Sequence, residues 1–255
     1  MSESGCVGCR NADANAFALP FTMAFQPIVD VPAQRIWGYE ALVRGVGGES
    51  AQQVLSHVTD ANRYAFDQAC RVKAIELAGR HIAQGDARLS INFMPNAVYE
   101  PKACIRATLD AASRMQFDPR RLMFEFTENE HMSDVAHVSN IVSEYRRMGF
   151  TTALDDFGAG YAGLSLLARF QTDLIKLDME LLRDIDSSPV KQAIVRGLVA
   201  IASELGITLL AEGIETEAEL AVLRPLGIHL FQGYHFARPQ VETFQSFGQL
   251  GSMTH

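Results

Sequence analysis

Residues 22–43 read TMAFQPIVDVPAQRIWGYEALV. Two β-rich runs, 22–29 and 36–43, are separated only by DVPAQR at 30–35. A crossover between parallel strands needs about a dozen residues or more, so these runs are expected to pair as an antiparallel hairpin. Downstream the pattern changes. Strand-like segments at 89–93, 122–127, 151–155, 174–177, 208–211 and 229–232 alternate with amphipathic stretches at 51–84, 103–115, 135–148, 190–205 and 217–224. Such alternation predicts a mostly parallel sheet covered by helices. Eight strands in 255 residues fit an α/β, TIM-like (β/α)8 barrel whose first strand is antiparallel. Residues 1–20 are expected to be a flexible lead-in, 21–245 the barrel domain and 246–255 a short tail.

Composition narrows the function classes. The chain is 48% hydrophobic, enough for one large core. No run approaches the roughly 18 apolar residues of a membrane span, so no membrane insertion is expected. The start, MSESGCVGCR, lacks the apolar region of a secretory signal, which leads us to expect the cytoplasm. A net charge of −8 without a basic run disfavours a nucleic acid polymer. A small anionic ligand remains compatible if cations supply the missing charge. Of the four cysteines, Cys70 and Cys104 sit in helix-like apolar patterns and are expected to be buried. Cys6 and Cys9 form a lone C-x-x-C, at most half of a zinc site, and are read as part of an inert tail.

The strand ends carry the chemistry. Glu40 lies in GYEALVR, Asn92 in LSINF, Glu125 in LMFEFTE and Lys176 in LIKLD. Glu212 ends LLAEG's apolar run, Gln232 follows LF, and Asp155 and Asp156 stand together in TALDDFGAGYAG, residues 152–163. Barrel active sites form at this end of the strands. Singly, each is a solvated charge or a turn residue; together, on seven successive strands, they make a cluster. Two carboxylates about 4 Å apart repel by about 4 kcal/mol at an effective dielectric near 20, so the set must protonate or bind cations. The donors are oxygens, without His or Cys, which suits Mg²⁺ or Mn²⁺ rather than zinc. A two-ion site of this type suits phosphate-ester hydrolysis, with Lys176 beside the attacking water and Arg44 offering a fork to a phosphate oxygen. Asp156 is expected to begin the loop, its side chain released from strand alternation by the turn that follows. His131 and His229 show no metal-type spacing and are read as packing or surface positions.

The segments QPI (26–28), EALVR (40–44), SIN (90–92), FEFTE (124–128), DDFGAGYAGLSLL (155–167), IKLD (175–178), AEGIET (211–216) and FQGYHFARP (231–239) resemble the EAL domain family in order and content. The resemblance spans about residues 22–242. It implies a metal-dependent phosphodiesterase that opens cyclic di-GMP to linear pGpG with two Mg²⁺ or Mn²⁺ ions. It further implies that Glu40, Asn92, Glu125, Asp155 and Asp156 are metal ligands. Glu212 would act on the metal-held water or as a ligand, and Lys176 would be the catalytic lysine. Glu128 would anchor the loop after the paired aspartates, and Gln26, Arg44, Asp178, Glu215 and Gln232 would contact substrate. Family members often pair through helices beside that loop, so a homodimer is expected, with regulation coming from partners, the tail or dimerisation. One departure is GAGYAGL at 158–164, where the family commonly has GTGYSSL. Ca²⁺ is expected to bind and to inhibit hydrolysis. Two other classes compete: an inactive reader of cyclic di-GMP, and a magnesium barrel enzyme acting on carbon acids. The complete acid set favours hydrolysis over the first, and the motif string favours it over the second.

Overall fold

The computed structural model describes residues 17–94, 98, 100–127, 135–160 and 163–250. Eight strands close a barrel: β1 (Phe21–Asp30), β2 (Arg35–Gly45), β3 (Arg88–Asn92), β4 (Leu122–Thr127), β5 (Thr151–Phe157), β6 (Leu174–Leu177), β7 (Thr208–Ala211) and β8 (Leu230–Phe231). β1 and β2 are antiparallel over their length, with Gln26 opposite Glu40, as the short connection requires. From β2 to β8 every neighbouring pair is parallel and in chain order. β1 then closes the barrel antiparallel to β8. A short ninth strand, β9 (Gln240–Val241), adds to β1 at Ala24 and Phe25.

Strand periodicity sorts the side chains into layers. Ile28, Met123, Ala153, Leu174, Leu210 and Leu230 point inward and form a dry floor, with the half-buried Trp37 packed against it. Two residues further along each parallel strand come Glu125, Asp155, Lys176, Glu212 and Gln232. β1 runs the other way, so its polar residue, Gln26, precedes Ile28 by two. The intervening Phe124, Phe126, Leu154, Ile175 and Leu177 face outward and are buried under the helices. One alternation thus produces both the core and a polar upper layer inside the barrel.

The longest helices are Arg63–Ile82 and Pro189–Leu205. The second starts on a Ser188 side-chain cap with Pro189 in its first turn and stops at Gly206, whose φ of 68° is left-handed. The expected helical stretch 51–84 is two helices, Ala51–Leu55 and Arg63–Ile82. The stretch 103–115 is likewise divided, into Pro101–Cys104 and Arg106–Arg114. Gly163–Leu167 and Met179–Leu182 are helices too short to leave a periodic signal. Phe17, Leu19, Phe247 and Leu250 all pack on the core. Cys70 and Cys104 are buried, and His229 is exposed. Cys6, Cys9 and His131 lie outside the described residues. Among the described residues no helix is long and apolar enough to cross a membrane.

Candidate active site

The upper layer converges on one amine. Lys176 Nζ lies 2.8 Å from Glu212 Oε1, 3.0 Å from Asp155 Oδ1, 3.1 Å from Glu125 Oε2 and 3.6 Å from Glu40 Oε2. Lys176 is 1% exposed and Glu125 fully buried. Glu40 is fixed from two sides: Asn92 Nδ2 donates to Oε1 at 3.0 Å and Gln232 Nε2 to Oε2 at 2.6 Å. Gln232 also donates to Gln26 Oε1 at 3.1 Å, and Gln26 donates to the Ala237 carbonyl at 3.0 Å. Side chains from distant parts of the sequence thus form one hydrogen-bonded chain, from Asn92 through Glu40 and Gln232 to Gln26.

Asp156 differs from the sequence expectation. It lies within β5, not in the following loop. Leu154 pairs with Ile175 and Phe157 with Leu177, so β5 has one residue more than β6 across this interval. That bulge lets adjacent aspartates serve the same side of the sheet. Asp156 has φ 54°, a left-handed backbone that Asp tolerates better than most residues but not for free. Its amide donates to Asp155 Oδ1 at 3.0 Å. Gly158, φ 103°, then completes the turn.

Five carboxylates face a single lysine. Oxygens of Glu40, Glu125 and Asp155 approach within 4.8 Å of one another, and so do those of Asp155, Asp156 and Glu212. Burial pushes the Glu125 carboxyl up to about 8; the Lys176 charge opposes this, while Glu40 and Asp155 reinforce it. Burial and the Asp155 charge take Asp156 up to about 6. Glu212 is raised well above the carboxylate range, first by burial and against the pull of Lys176. Lys176 is itself held well above its usual value: burial works against the charge, and Asp155, Glu125, Glu212 and Glu40 outweigh it. Glu125 Oε1 is buried without a hydrogen-bond partner among the described residues. Excess negative charge, an orphaned carboxylate oxygen and oxygen-only donors all fit divalent cations, in two groups that share Asp155. Glu40, Glu125 and Asp155 form one candidate ion site and Asp155, Asp156 and Glu212 the other, with Asn92 beside the first through its bond to Glu40.

A cavity of about 280 Å³ opens over the cluster, lined in part by Gln26, Glu40, Asp156, Asp178, Glu212, Glu215, Gln232 and Tyr234. Asp178 and Glu215, expected as substrate contacts, are thus at the mouth. Asp178 also caps the helix Met179–Leu182 by accepting from the Glu180 amide at 2.7 Å. Arg183 donates to Glu215 at 2.9 Å. Arg44 is half-buried, donates to the Val43 carbonyl at 2.6 Å and is not among the residues lining this cavity. Glu128 lies outside the described residues.

Sequence reasoning passed over Glu219. It is 2% exposed and accepts from the amides of Glu215 at 2.9 Å, Thr216 at 3.1 Å and Asp184 at 3.3 Å. It thereby ties together the loops that follow β6 and β7. Its signal is local: Thr216-Glu-Ala-Glu219 is a capping box. Two glycines let these loops close. A Cβ on Gly213 would lie 2.4 Å from Met179 Cβ, and one on Gly233 would lie 2.1 Å from the Ile214 carbonyl oxygen.

The EAL domain pattern matches residues 15–239, nearly the whole chain. The chain belongs to the EAL domain family. Among curated EAL relatives, the blue light- and temperature-regulated antirepressor BluF of Escherichia coli (strain K12) is 31% identical over 88% of this chain, which spans 55% of that protein. A cyclic di-GMP phosphodiesterase of Pseudomonas aeruginosa is 31% identical over 87% of this chain, which spans 38% of it. A standalone EAL protein of Vibrio cholerae O395, solved with c-di-GMP bound, is 52% identical with a TM-score of 0.86; the match covers 91% of this chain and 96% of that one. BlrP1 of Klebsiella pneumoniae, solved with manganese and cyclic di-GMP, is 38% identical with a TM-score of 0.83, over 89% of this chain and 57% of its own. The barrel with one antiparallel strand is thus the EAL fold.

Proposed function

We propose that this EAL protein is a cyclic di-GMP phosphodiesterase that uses two Mg²⁺ or Mn²⁺ ions to hydrolyse one phosphodiester bond, giving linear pGpG. One observation carries the reading: Glu40, Asn92, Glu125, Asp155, Asp156, Lys176 and Glu212 meet at one end of the barrel. The ligand-bound Vibrio relative and the Pseudomonas phosphodiesterase support the substrate. The manganese in the BlrP1 structure supports the choice of metal.

When bound, divalent ions supply positive charge against the phosphate oxygens and acidify a water. The chain does the rest. Gln26, Asp178, Glu215 and Gln232 orient the dinucleotide at the mouth. Lys176, kept cationic by its four carboxylate neighbours, donates hydrogen bonds to the attacking water and steadies it. Glu212 stands beside Lys176 to accept the water's proton. The water oxygen bonds to phosphorus, the P–O3′ bond breaks, and a proton ends on the departing 3′ oxygen. The product is a 5′-phosphorylated linear dinucleotide.

BluF, named as an antirepressor, keeps a second reading in play: a protein that acts through binding. The complete acid and lysine set here favours catalysis. We place the activity in the cytoplasm, in a homodimer. The helix Pro189–Leu205 exposes Val190, Ile194, Ile201 and Leu205 along one side, which suits pairing with a second copy. Any further control would come from a regulatory protein. The test is incubation of chelator-stripped protein with cyclic di-GMP, followed by Mn²⁺. Linear pGpG should appear only after the metal is added, and recovery of intact cyclic di-GMP throughout would refute the activity.

A further inference from the structure

The chain leaves β3 at the acid cluster, and its exit is held from a helix. Asn92, the last residue of β3, is exposed, and its side chain donates to Glu40 Oε1 at 3.0 Å. Packing does little to fix an exposed side chain, so its backbone must. The Phe93 amide donates to the Glu125 carbonyl on β4 at 2.9 Å. The next amide, of Met94, donates to Asp67 Oδ1 at 3.0 Å. Asp67 lies on the helix Arg63–Ile82 and is 3% exposed. Its other oxygen, Oδ2, accepts from Arg71 Nη2 at 2.7 Å, one helical turn further on. Arg71 is fully buried, and its Nη1 donates to Thr108 Oγ1 at 3.3 Å and to the Cys104 carbonyl at 3.4 Å. Asp67 also lines, with Glu40, Asn92, Met94, Asp155 and Asp156, a cavity of about 790 Å³ beside the acid cluster.

A buried ion pair is costly to desolvate and adds little stability beyond what apolar side chains of the same volume would give. Helix packing alone therefore gives no reason for a carboxylate at position 67. Its Oδ1 gives one, as the acceptor that draws the segment after β3 onto the helix. Arg71 balances the charge and engages Oδ2, which leaves Oδ1 for the Met94 amide. Groups that hold a metal-binding side chain from behind set its orientation, and with it the affinity for the ion. We propose that Asp67, held by Arg71, is a positioning residue for the ion site of Glu40, Glu125 and Asp155. By fixing Met94 it places Asn92 against Glu40, and Asn92 in turn orients the Glu40 carboxylate. This role rests on the proposed divalent-cation site and not on the hydrolysis that follows.

Two double variants isolate the Met94 hydrogen bond. Both remove the ion pair, so neither leaves a lone buried charge. The first, Asp67→Asn with Arg71→Met, keeps an oxygen for the Met94 amide. The second, Asp67→Leu with Arg71→Met, has no acceptor there. Mn²⁺ binding to the full chain, stripped of metal and freed of chelator, is measured by calorimetry without cyclic di-GMP. The first variant should bind within about twofold of wild type and the second about tenfold more weakly, the scale of losing a group that supports a metal ligand. Thr108→Val is the stability control, since it removes a partner of Arg71 and leaves the Met94 acceptor in place. It should lower the melting temperature and leave Mn²⁺ affinity unchanged. Coupling is reciprocal, so in the wild type Mn²⁺ should slow hydrogen exchange at the Met94 amide more than along the helix Pro189–Leu205. Mn²⁺ binding with this pattern but without hydrolysis would count against the phosphodiesterase reading and support the role of Asp67. Equal Mn²⁺ affinity in the two double variants, a loss in Thr108→Val as large as in the second, or Met94 exchange that Mn²⁺ leaves unchanged would overturn the proposal.

Discussion

Lys176 Nζ stands 2.8 Å from Glu212 Oε1, the shortest of its four contacts with carboxylates. The pair sits at the centre of a buried acid cluster, so its members should have opposite effects on stability. Lys176→Met removes the one cation and leaves buried carboxylates unpaired. In chelator it should cost about 3 kcal/mol, since breaking a buried pair from one side costs roughly 3–5 kcal/mol. Mn²⁺ should restore most of that stability but not turnover, which should fall at least about 100-fold. Glu212→Gln instead replaces a carboxyl whose ionisation burial already disfavours. Its metal-free melting temperature should match or exceed the wild type while its turnover is lost. Thermal melts with chelator and with Mn²⁺, run beside an activity assay, check both variants. An unchanged turnover in either would remove that residue from the chemistry.

Asp156 combines a left-handed φ of 54° with a like-charged neighbour. Such positions cost about 1–3 kcal/mol and persist where function requires them. Asn tolerates that backbone and carries no charge. Asp156→Asn should therefore raise metal-free stability by about 1 kcal/mol while weakening metal binding and turnover. A variant less stable than wild type in chelator would contradict the strain argument.

The barrel was legible because its rules are local. Six residues between two strands allow only a hairpin, and period-two alternation put Glu125 inside the barrel while Phe124 and Phe126 faced the helices. The acids could be read as one site because Glu125, Asp155 and Glu212 stand in the carboxyl half of, or just past, their strands, while Glu40, midway along the long β2, reaches the same layer. The bulge at Asp155 and Asp156 was not legible, since it depends on how β5 registers with β6, a relation between segments that neither reveals alone. Glu219 had a local sign in its capping box, but its grip on Asp184 is tertiary. The splitting of residues 51–84 into two helices had a local sign in SHVTDAN at 56–62, a polar run with turn-forming residues that a single helical reading passes over.

Glu219 gives a prediction about pH. Burial alone would raise its carboxyl; the amides of Glu215, Thr216 and Asp184 outweigh that and hold it below its usual 4.5. A group lowered in the folded state contributes stability above its unfolded value and loses that contribution as pH falls through the folded one. Glu219→Ala should cost about 2 kcal/mol at pH 7, from the lost cap and the exposed donors. The gap to wild type should narrow below pH 4.5. Melting temperatures across that range test the sign, and a gap that widens on acidification would reverse the assignment. Because the same side chain positions the loop bearing Glu215, KM should rise in this variant.

Calcium separates binding from chemistry. An oxygen-only site accepts Ca²⁺, whose bonds of about 2.3–2.6 Å are longer than the roughly 2.0–2.1 Å of Mg²⁺ and come with more ligands. A displacement of about 1 Å can cost roughly a hundredfold in rate. Ca²⁺ should therefore support cyclic di-GMP binding without hydrolysis and should compete with Mg²⁺. Full turnover with Ca²⁺ alone would show that ion size does not set the rate.

Counting turnovers distinguishes catalysis by the acid cluster around Lys176 from binding alone. The most direct measurement titrates Mn²⁺ into chelator-stripped protein with cyclic di-GMP in large excess and counts product per chain. Many equivalents of pGpG per chain are expected, with a rate that keeps rising after the first equivalent of metal, as two candidate ion groups that share Asp155 require. One equivalent of cyclic di-GMP bound and later recovered intact, at any Mn²⁺ or Mg²⁺ concentration, would contradict catalysis.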